Sequence, residues 1–196
     1  MTYTVIGPTT TRTFRVLWML EELGQSYDRF THAPQTEELR KFNPAGKVPV
    51  LLEDDAALTD STAIIQYLAD KHGALTYPAG TIDRARQDGF THFILDELDA
   101  TLWTAARHTF VLPKEKRIPE VKQSLKWEFE QSVTELMRRK GDAPFLTGDR
   151  MTVPDILAIH CGSWAVAAGF PMENSAFRAY AKSLRNRPAY VRASAA

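Results

Sequence analysis

A chain of 196 residues with 44% hydrophobic and 24% charged content has enough apolar side chains for one large domain or two small ones, which excludes disordered and fibrous architectures. Basic and acidic residues balance at 24 each, so no net field points to a polyanion and no nucleic-acid partner is expected. No apolar run approaches the roughly 18 residues of a membrane span, since even residues 156–170 are broken by His160, Gly162 and Ser163, and no membrane partner is expected.

Residues 1–8 lack a cationic stretch followed by an apolar run, so no signal peptide is expected and a cytoplasmic setting fits best. Tyr3-Thr-Val-Ile6 alternates and is β-branched, which predicts a strand. Gly7-Pro8 and three threonines interrupt it, and residues 14–23 carry apolar side chains at helical spacing before Gly24. A short strand around 27–31 and a polar helical stretch near 36–42 follow. Val48-Pro-Val-Leu-Leu52, then Asp54-Asp55 and Ala57-Leu58, read as a hairpin, and Asp60-Ser61 opens a helix that ends near His72-Gly73. After Leu75 the period-two pattern disappears. Residues 83–107, 120–140, 152–168 and 177–184 are predicted helices, with Pro113 and Pro119 bracketing a charged connection. The expected organisation is a mixed α/β domain over 1–75, a linker at 76–81 and an all-helical domain over 82–196. The run Arg178, Lys182, Arg185, Arg187 and Arg192 reads as a solvated helix face. Cys161 is the single cysteine, which rules out an intrachain disulfide, a Cys-x-x-Cys pair and a thiolate metal cluster. With His160 it sits in the most apolar helix, where both are packing residues. The five histidines show no ligand spacing, so no metal is expected.

Three motifs carry chemistry. In Asn43-Pro-Ala-Gly-Lys-Val-Pro49 a proline opens a strand, where its missing N–H is tolerated. Val48–Pro49 is a candidate cis bond that would turn the Val48 N–H and C=O outward to pair with an extended peptide; the alternative is an ordinary trans turn. In Asp60-Ser-Thr-Ala-Ile64, Asp60 and Ser61 suit a helix cap. The same site suits a ligand carboxylate on the Ser61 hydroxyl and free helix amides, with Asp60 facing an ammonium, which together describe an amino-acid head group. In Thr9-Thr-Thr-Arg12 no base lies close in sequence, so covalent catalysis is not expected. A hydroxyl there either caps the helix or donates to a thiolate and favours the anion.

The order of strand, hydroxyl loop, helix ending Leu20-Glu-Glu-Leu-Gly24, Asn43-Pro-x-Gly-Lys-Val-Pro49, Asp60-Ser-x-Ala-Ile64 and Tyr67-Leu68 resembles the N-terminal half of a soluble, cytosolic-type glutathione S-transferase. In the helical half Gly148-Asp-Arg-Met-Thr-Val-Pro-Asp155 resembles the family's folding motif, with Thr152 as cap and Asp155 reaching back three residues. The resemblance implies an N-terminal thioredoxin-like, glutathione-binding domain followed by a C-terminal helical bundle. It implies that Val48, with Pro49 after it, pairs with the cysteinyl backbone of glutathione. Lys47 lies near the glycyl end, and Asp60 and Ser61 take the γ-glutamyl head group. Counting back four from Arg15 places Thr11 as the hydroxyl that activates the thiol, with Thr10 as runner-up. Threonine replaces the more usual Ser, Tyr or Cys, and Asp60 the more usual Glu.

A second-substrate pocket is expected along Leu102-Trp-Thr-Ala-Ala-Arg-His-Thr-Phe110, where Trp103 and Phe110 supply apolar walls and Arg107 and His108 polar contacts, the alternative being that the aromatics are core. The resemblance thus implies a homodimeric detoxification enzyme that conjugates the thiolate to a small hydrophobic electrophile, with glutathione as co-substrate and no other cofactor. Two other outcomes remain open at this point: a glutathione-dependent peroxidase or disulfide reductase, and a non-catalytic binding module of the same fold.

Overall fold

The computed structural model describes residues 2–196; Met1, at which the first domain was expected to begin, lies outside the described residues. The chain forms two compact units. One runs to Pro78 and is joined by Arg185–Ala196, and the other is Ala79–Leu184. The last stretch thus groups with the first unit.

In the first unit, strands β1 (Tyr3–Ile6), β2 (Tyr27–Phe30), β3 (Val50–Glu53) and β4 (Ala56–Thr59) form one sheet in the order β2-β1-β3-β4. β1 and β2 are parallel, and β1, β3 and β4 are successively antiparallel. With helices α1 (Thr13–Glu22), α2 (Glu37–Arg40) and α3 (Ser61–His72) this is the thioredoxin-like arrangement. Register sorts the side chains between the faces. Ile6 lies opposite Val50, and both bury against Leu39 of α2 together with Phe42, Val48 and Leu52. Tyr3 lies opposite Glu53 on the other face, toward α3. There Tyr67 donates to Glu53 Oε2 at 2.5 Å, Lys71 forms an ion pair with Glu53 Oε1, and the Tyr3 hydroxyl is 2.9 Å from His72 Nε2.

That cluster makes a pH prediction. Burial disfavours ionised Glu53, but the hydrogen bonds from Lys71 and Tyr67 outweigh it and hold the carboxyl below its ordinary value. A carboxyl whose folded pKa is depressed contributes stability above its unfolded value, and loses it as pH falls through the folded one. Lowering the pH from about 5 to about 3, across the ordinary glutamate value near 4.3, should therefore destabilise the wild type more steeply than Glu53→Gln. Urea melts followed by circular dichroism at each pH measure the slope, and equal slopes would refute the assignment.

The unit is closed by α9 (Pro188–Ala195), a helix that the sequence reading did not anticipate. Tyr190 meets Trp18 and Phe14 of α1 edge-on, at centroid distances of 4.9 and 5.1 Å. Arg187 grips Glu22 with two bonds of 2.6 and 2.7 Å, and Arg192 bonds Glu21 at 2.6 Å. These arginines were expected on a solvated face. Arg192 does remain exposed, and both arginines are in addition half of an interlocking charge pattern with α1.

The second unit is helical. A single rod runs through α4 (Ile82–Phe93), a π-helical segment Ile94–Asp99, α5 (Ala100–Ala106) and a second π-helical segment Arg107–Val111. A 3-10 turn, Lys114–Lys116, leads to α6 (Val121–Lys140), α7 (Val153–Ala167) and α8 (Ser175–Arg185). α7 is buried from Val153 to Gly162, which puts it at the centre of this unit and accounts for its apolar sequence. Cys161 and His160 are buried there, as expected. Among the described residues no helix is long and apolar enough to cross a membrane.

Candidate functional site

At the end of β1, Gly7 adopts φ 135°, and its N–H donates to the Phe30 carbonyl at 2.8 Å. A side chain is excluded here. A Cβ on Gly7 would collide with Thr13 Oγ1 and come within 2.9 Å of Val48 Cβ, so the chain at Gly7 is packed between the start of α1 and the proline loop. Arg29 braces the turn from below, donating to the Gly7 carbonyl at 3.3 Å and to Thr9 Oγ1 at 3.1 Å.

Thr11 sits half-buried at the mouth of α1. Its oxygen accepts from the Thr13 N–H at 3.2 Å and lies 2.9 Å from Thr13 Oγ1, while its proton is directed to the Pro8 carbonyl at 2.8 Å. The hydroxyl therefore caps the helix and stands one proton-swing away from any other acceptor. Thr10 is exposed, and its hydroxyl has no hydrogen-bond partner among the described residues.

Val48–Pro49 is a cis peptide bond. Asn43 fixes the loop before it, its Nδ2 donating to the Lys47 carbonyl at 2.8 Å and its Oδ1 accepting from the Ala45 N–H at 3.1 Å. Arg40 adds a bond to the Pro44 carbonyl at 2.7 Å. The Val48 side chain is anchored in the apolar cluster, and its main-chain groups have no backbone partner among the described residues. Lys47 is exposed and Pro49 buried.

Hairpin register brings the third motif alongside. Val50 pairs with Thr59, so Val48-Pro49 and Asp60-Ser61 lie at the same end of β3 and β4. Asp60 has φ 68° and ψ 119°, a sparsely populated conformation for a non-glycine residue. One oxygen, Oδ1, accepts from the Thr62 and Ala63 N–H groups at 2.9 and 3.0 Å. The helix amides expected to be free for a ligand are thus partly taken. Asp60 has already capped two of them, and what remains at the helix start is the Ser61 N–H and hydroxyl. Ser61 is buried, and its Oγ accepts from Arg15 Nη1 at 3.2 Å. Arg15, Asn43 and Gly7 are the residues of this site to which the sequence reading gave no functional part. Arg15 had served only as a register mark, although a cation inside the apolar run 14–20 was the available signal.

The expected second-substrate residues all lie in the helical unit. Trp103 is partly buried on α5, and Arg107, His108 and Phe110 follow in the π-helical segment. Phe110 is 67% exposed, so the alternative that it is core does not hold. Arg107 donates to Thr104 Oγ1 at 2.8 Å. His108 Nδ1 accepts from the Ile118 N–H at 3.0 Å, which leaves Nε2 as the protonated nitrogen of the neutral ring.

Residues 12–76 match the family model for the glutathione S-transferase N-terminal domain. Glutathione S-transferase GstA of Escherichia coli O157:H7 is 31% identical over 150 residues, covering 74% of this chain and 71% of that protein. Human glutathione S-transferase theta-2 is 29% identical over 150 residues, covering 70% of this chain and 59% of that protein, so the matched region spans about three fifths of the human relative. In fold, the chain is similar to the glutathione transferase URE2P8 of Phanerochaete chrysosporium, solved with oxidised glutathione, with a TM-score of 0.85 at 23% identity over 98% of this chain and 93% of that one.

Proposed function

The chain belongs to the glutathione S-transferase family, and from that premise we propose that it binds glutathione on its thioredoxin-like unit and transfers the thiolate to a small hydrophobic electrophile. The observation that carries this reading is the convergence at one end of the sheet. Val48 offers a peptide a main chain that has no backbone partner among the described residues, Asp60 and Ser61 present acid and hydroxyl to an amino-acid head group, and Gly7, just before the hydroxyl loop, packs closely against Val48. Lys47 would meet the glycyl carboxylate, and Pro49 fixes the direction of the loop. Trp103, Arg107, His108 and Phe110 are the residues proposed to meet the electrophile. A cytoplasmic homodimer with a role in detoxification belongs to the same proposal.

In this mechanism Thr11 turns its proton from the Pro8 carbonyl to the glutathione sulfur. A hydrogen bond to an anion is about twice as strong as one between neutral groups, so the thiolate outcompetes the carbonyl. The Thr13 amide, already donating into the Thr11 oxygen, strengthens the O–H as a donor. Proximity and this charge stabilisation are what the protein contributes to attack on the electrophile.

The test is an ultraviolet titration of the bound thiolate. In the wild type the thiol pKa should fall below the free value of about 8.5, and in Thr11→Val return toward it. If Thr10→Val has that effect instead, Thr10 is the donor. A second reading, a non-catalytic glutathione-binding module, is favoured by the one feature that opposes catalysis, the Thr11 proton held by Pro8. Bound glutathione with an unshifted thiol in all three proteins would establish that reading.

A further inference from the structure

We propose that the turn between the rod and α6, at the tip of the hairpin these helices form, docks on an anionic lipid surface. The two limbs run antiparallel. The Arg139 guanidinium lies over the Phe93 ring at 4.0 Å and Ser132 donates to Glu97 at 3.2 Å, so residues 112–120 turn at the far end. There Phe110, Val111 and Ile118 are 67%, 45% and 58% exposed. A single exposed apolar side chain is ordinary, whereas three on one turn make a patch.

The turn also carries charge of one sign in excess. The chain as a whole has 24 basic and 24 acidic residues, but 107–122 holds Arg107, Lys114, Lys116, Arg117 and Lys122 against Glu115 and Glu120. Lys114 and Lys116 are exposed and have no ion-pair partner among the described residues. Arg117 is spent on the fold, its Nε donating to the Leu112 carbonyl at 2.8 Å and its Nη2 to the Phe110 carbonyl at 3.0 Å, which satisfies carbonyls at the end of the rod. The Ile118 N–H donates to His108 Nδ1 at 3.0 Å and the Lys116 N–H to the Pro113 carbonyl at 2.9 Å. The apolar groups and the lysines therefore stand on an ordered backbone, and binding costs little conformational entropy.

Apolar side chains beside free lysines match the layers of a bilayer surface, the first entering the acyl boundary and the ammonium groups meeting lipid phosphates. The lack of a spanning helix bears on passage across a membrane and not on attachment to one. An acidic protein would need a preformed hollow for these side chains, which a fluid bilayer makes on contact. The docking surface does not depend on glutathione binding.

Vesicle flotation is the test, with bilayers of phosphatidylcholine alone and of equal parts phosphatidylcholine and phosphatidylglycerol. The protein should float with the second and not the first, and high salt should release it. Lys114→Gln combined with Lys116→Gln should weaken binding by about 30-fold, equivalent to about 2 kcal/mol. Ile118→Ser should weaken it by about tenfold through lost apolar contact. Arg178→Gln combined with Lys182→Gln, the same change of charge on exposed positions of α8, should leave it unaltered. Circular dichroism checks that each variant is folded. No flotation with the anionic vesicles would overturn the proposal and leave the patch to an acidic protein. Equal flotation with both vesicles, or equal losses from the two charge pairs, would also overturn it, the latter by showing a response to overall charge alone.

Discussion

Gly7→Ala is expected to remove measurable glutathione affinity and to lower folding stability by about 3 kcal/mol, combining a forced backbone with an overpacked contact. Both parts come from geometry. The residue has φ 135°, where an L side chain is strained. The added methyl would also strike Thr13 Oγ1 and crowd Val48 Cβ at 2.9 Å, and neither atom is the free end of a flexible chain. Thr13 is fully buried and Val48 belongs to the cluster of Ile6, Leu39 and Val50, so relief requires moving the hydroxyl loop or the proline loop. These loops carry the proposed thiol donor and the proposed peptide-pairing main chain, which is why binding should suffer beyond the loss in stability. Calorimetry at a temperature where circular dichroism shows the variant folded separates the two effects. Unchanged affinity in a folded Gly7→Ala protein would mean that the loops do not share a ligand.

The second large effect belongs to the helical unit. Asp155→Ala should cost about 4 kcal/mol, because each buried polar group left unsatisfied costs about 1–3 kcal/mol. The carboxylate is fully buried and accepts from the Leu146 N–H at 2.9 Å, the Thr152 N–H at 2.7 Å, the Thr152 hydroxyl at 3.2 Å and the Tyr180 hydroxyl. It thus ties the start of α7 to the preceding loop and to α8. Asp155→Asn should also be strongly destabilising, since an amide turns N–H donors toward N–H donors. Urea melts at neutral pH give the measurement, and a loss under about 1 kcal/mol would show that water or rearrangement satisfies the stranded groups. Burial pushes the Asp155 carboxyl above its ordinary value, against the pull of its hydrogen bonds. Protonation in acid therefore does not remove stability here as it does at Glu53.

Much of this was readable in the sequence because it is encoded locally. The strand and hairpin patterns, the helix starts at Asp60 and Thr152, and the proline before β3 each involve neighbours in the chain. What escaped depends on partners far along it. Arg187 and Arg192 have the look of a solvated face until Glu22 and Glu21 are set opposite them. α9 is eight residues long, too short for periodicity to establish, and tertiary packing on Trp18 and Phe14 gives it a reason to form. The π-helical segments were read as ordinary helix, since apolar spacing over 83–107 does not separate a wider turn from a regular one. At the site itself, sequence supplied the residue types but not the direction of their hydrogen bonds. It could not reveal that the Thr11 proton is lent to Pro8, or that Asp60 occupies two of the amides it borders.

The docking of α9 on α1 also sets the order in which the molecule can be finished. A nascent chain that has emerged only as far as Pro78 possesses all four strands and three helices of the sheet unit, but Phe14 and Trp18 still lack their cover. Tyr190, which meets both rings, and Arg187 and Arg192, which pair with Glu22 and Glu21, are translated after the whole helical unit. During synthesis an apolar, acidic-edged strip along α1 therefore waits for more than a hundred residues, an interval in which a chaperone has a surface to hold.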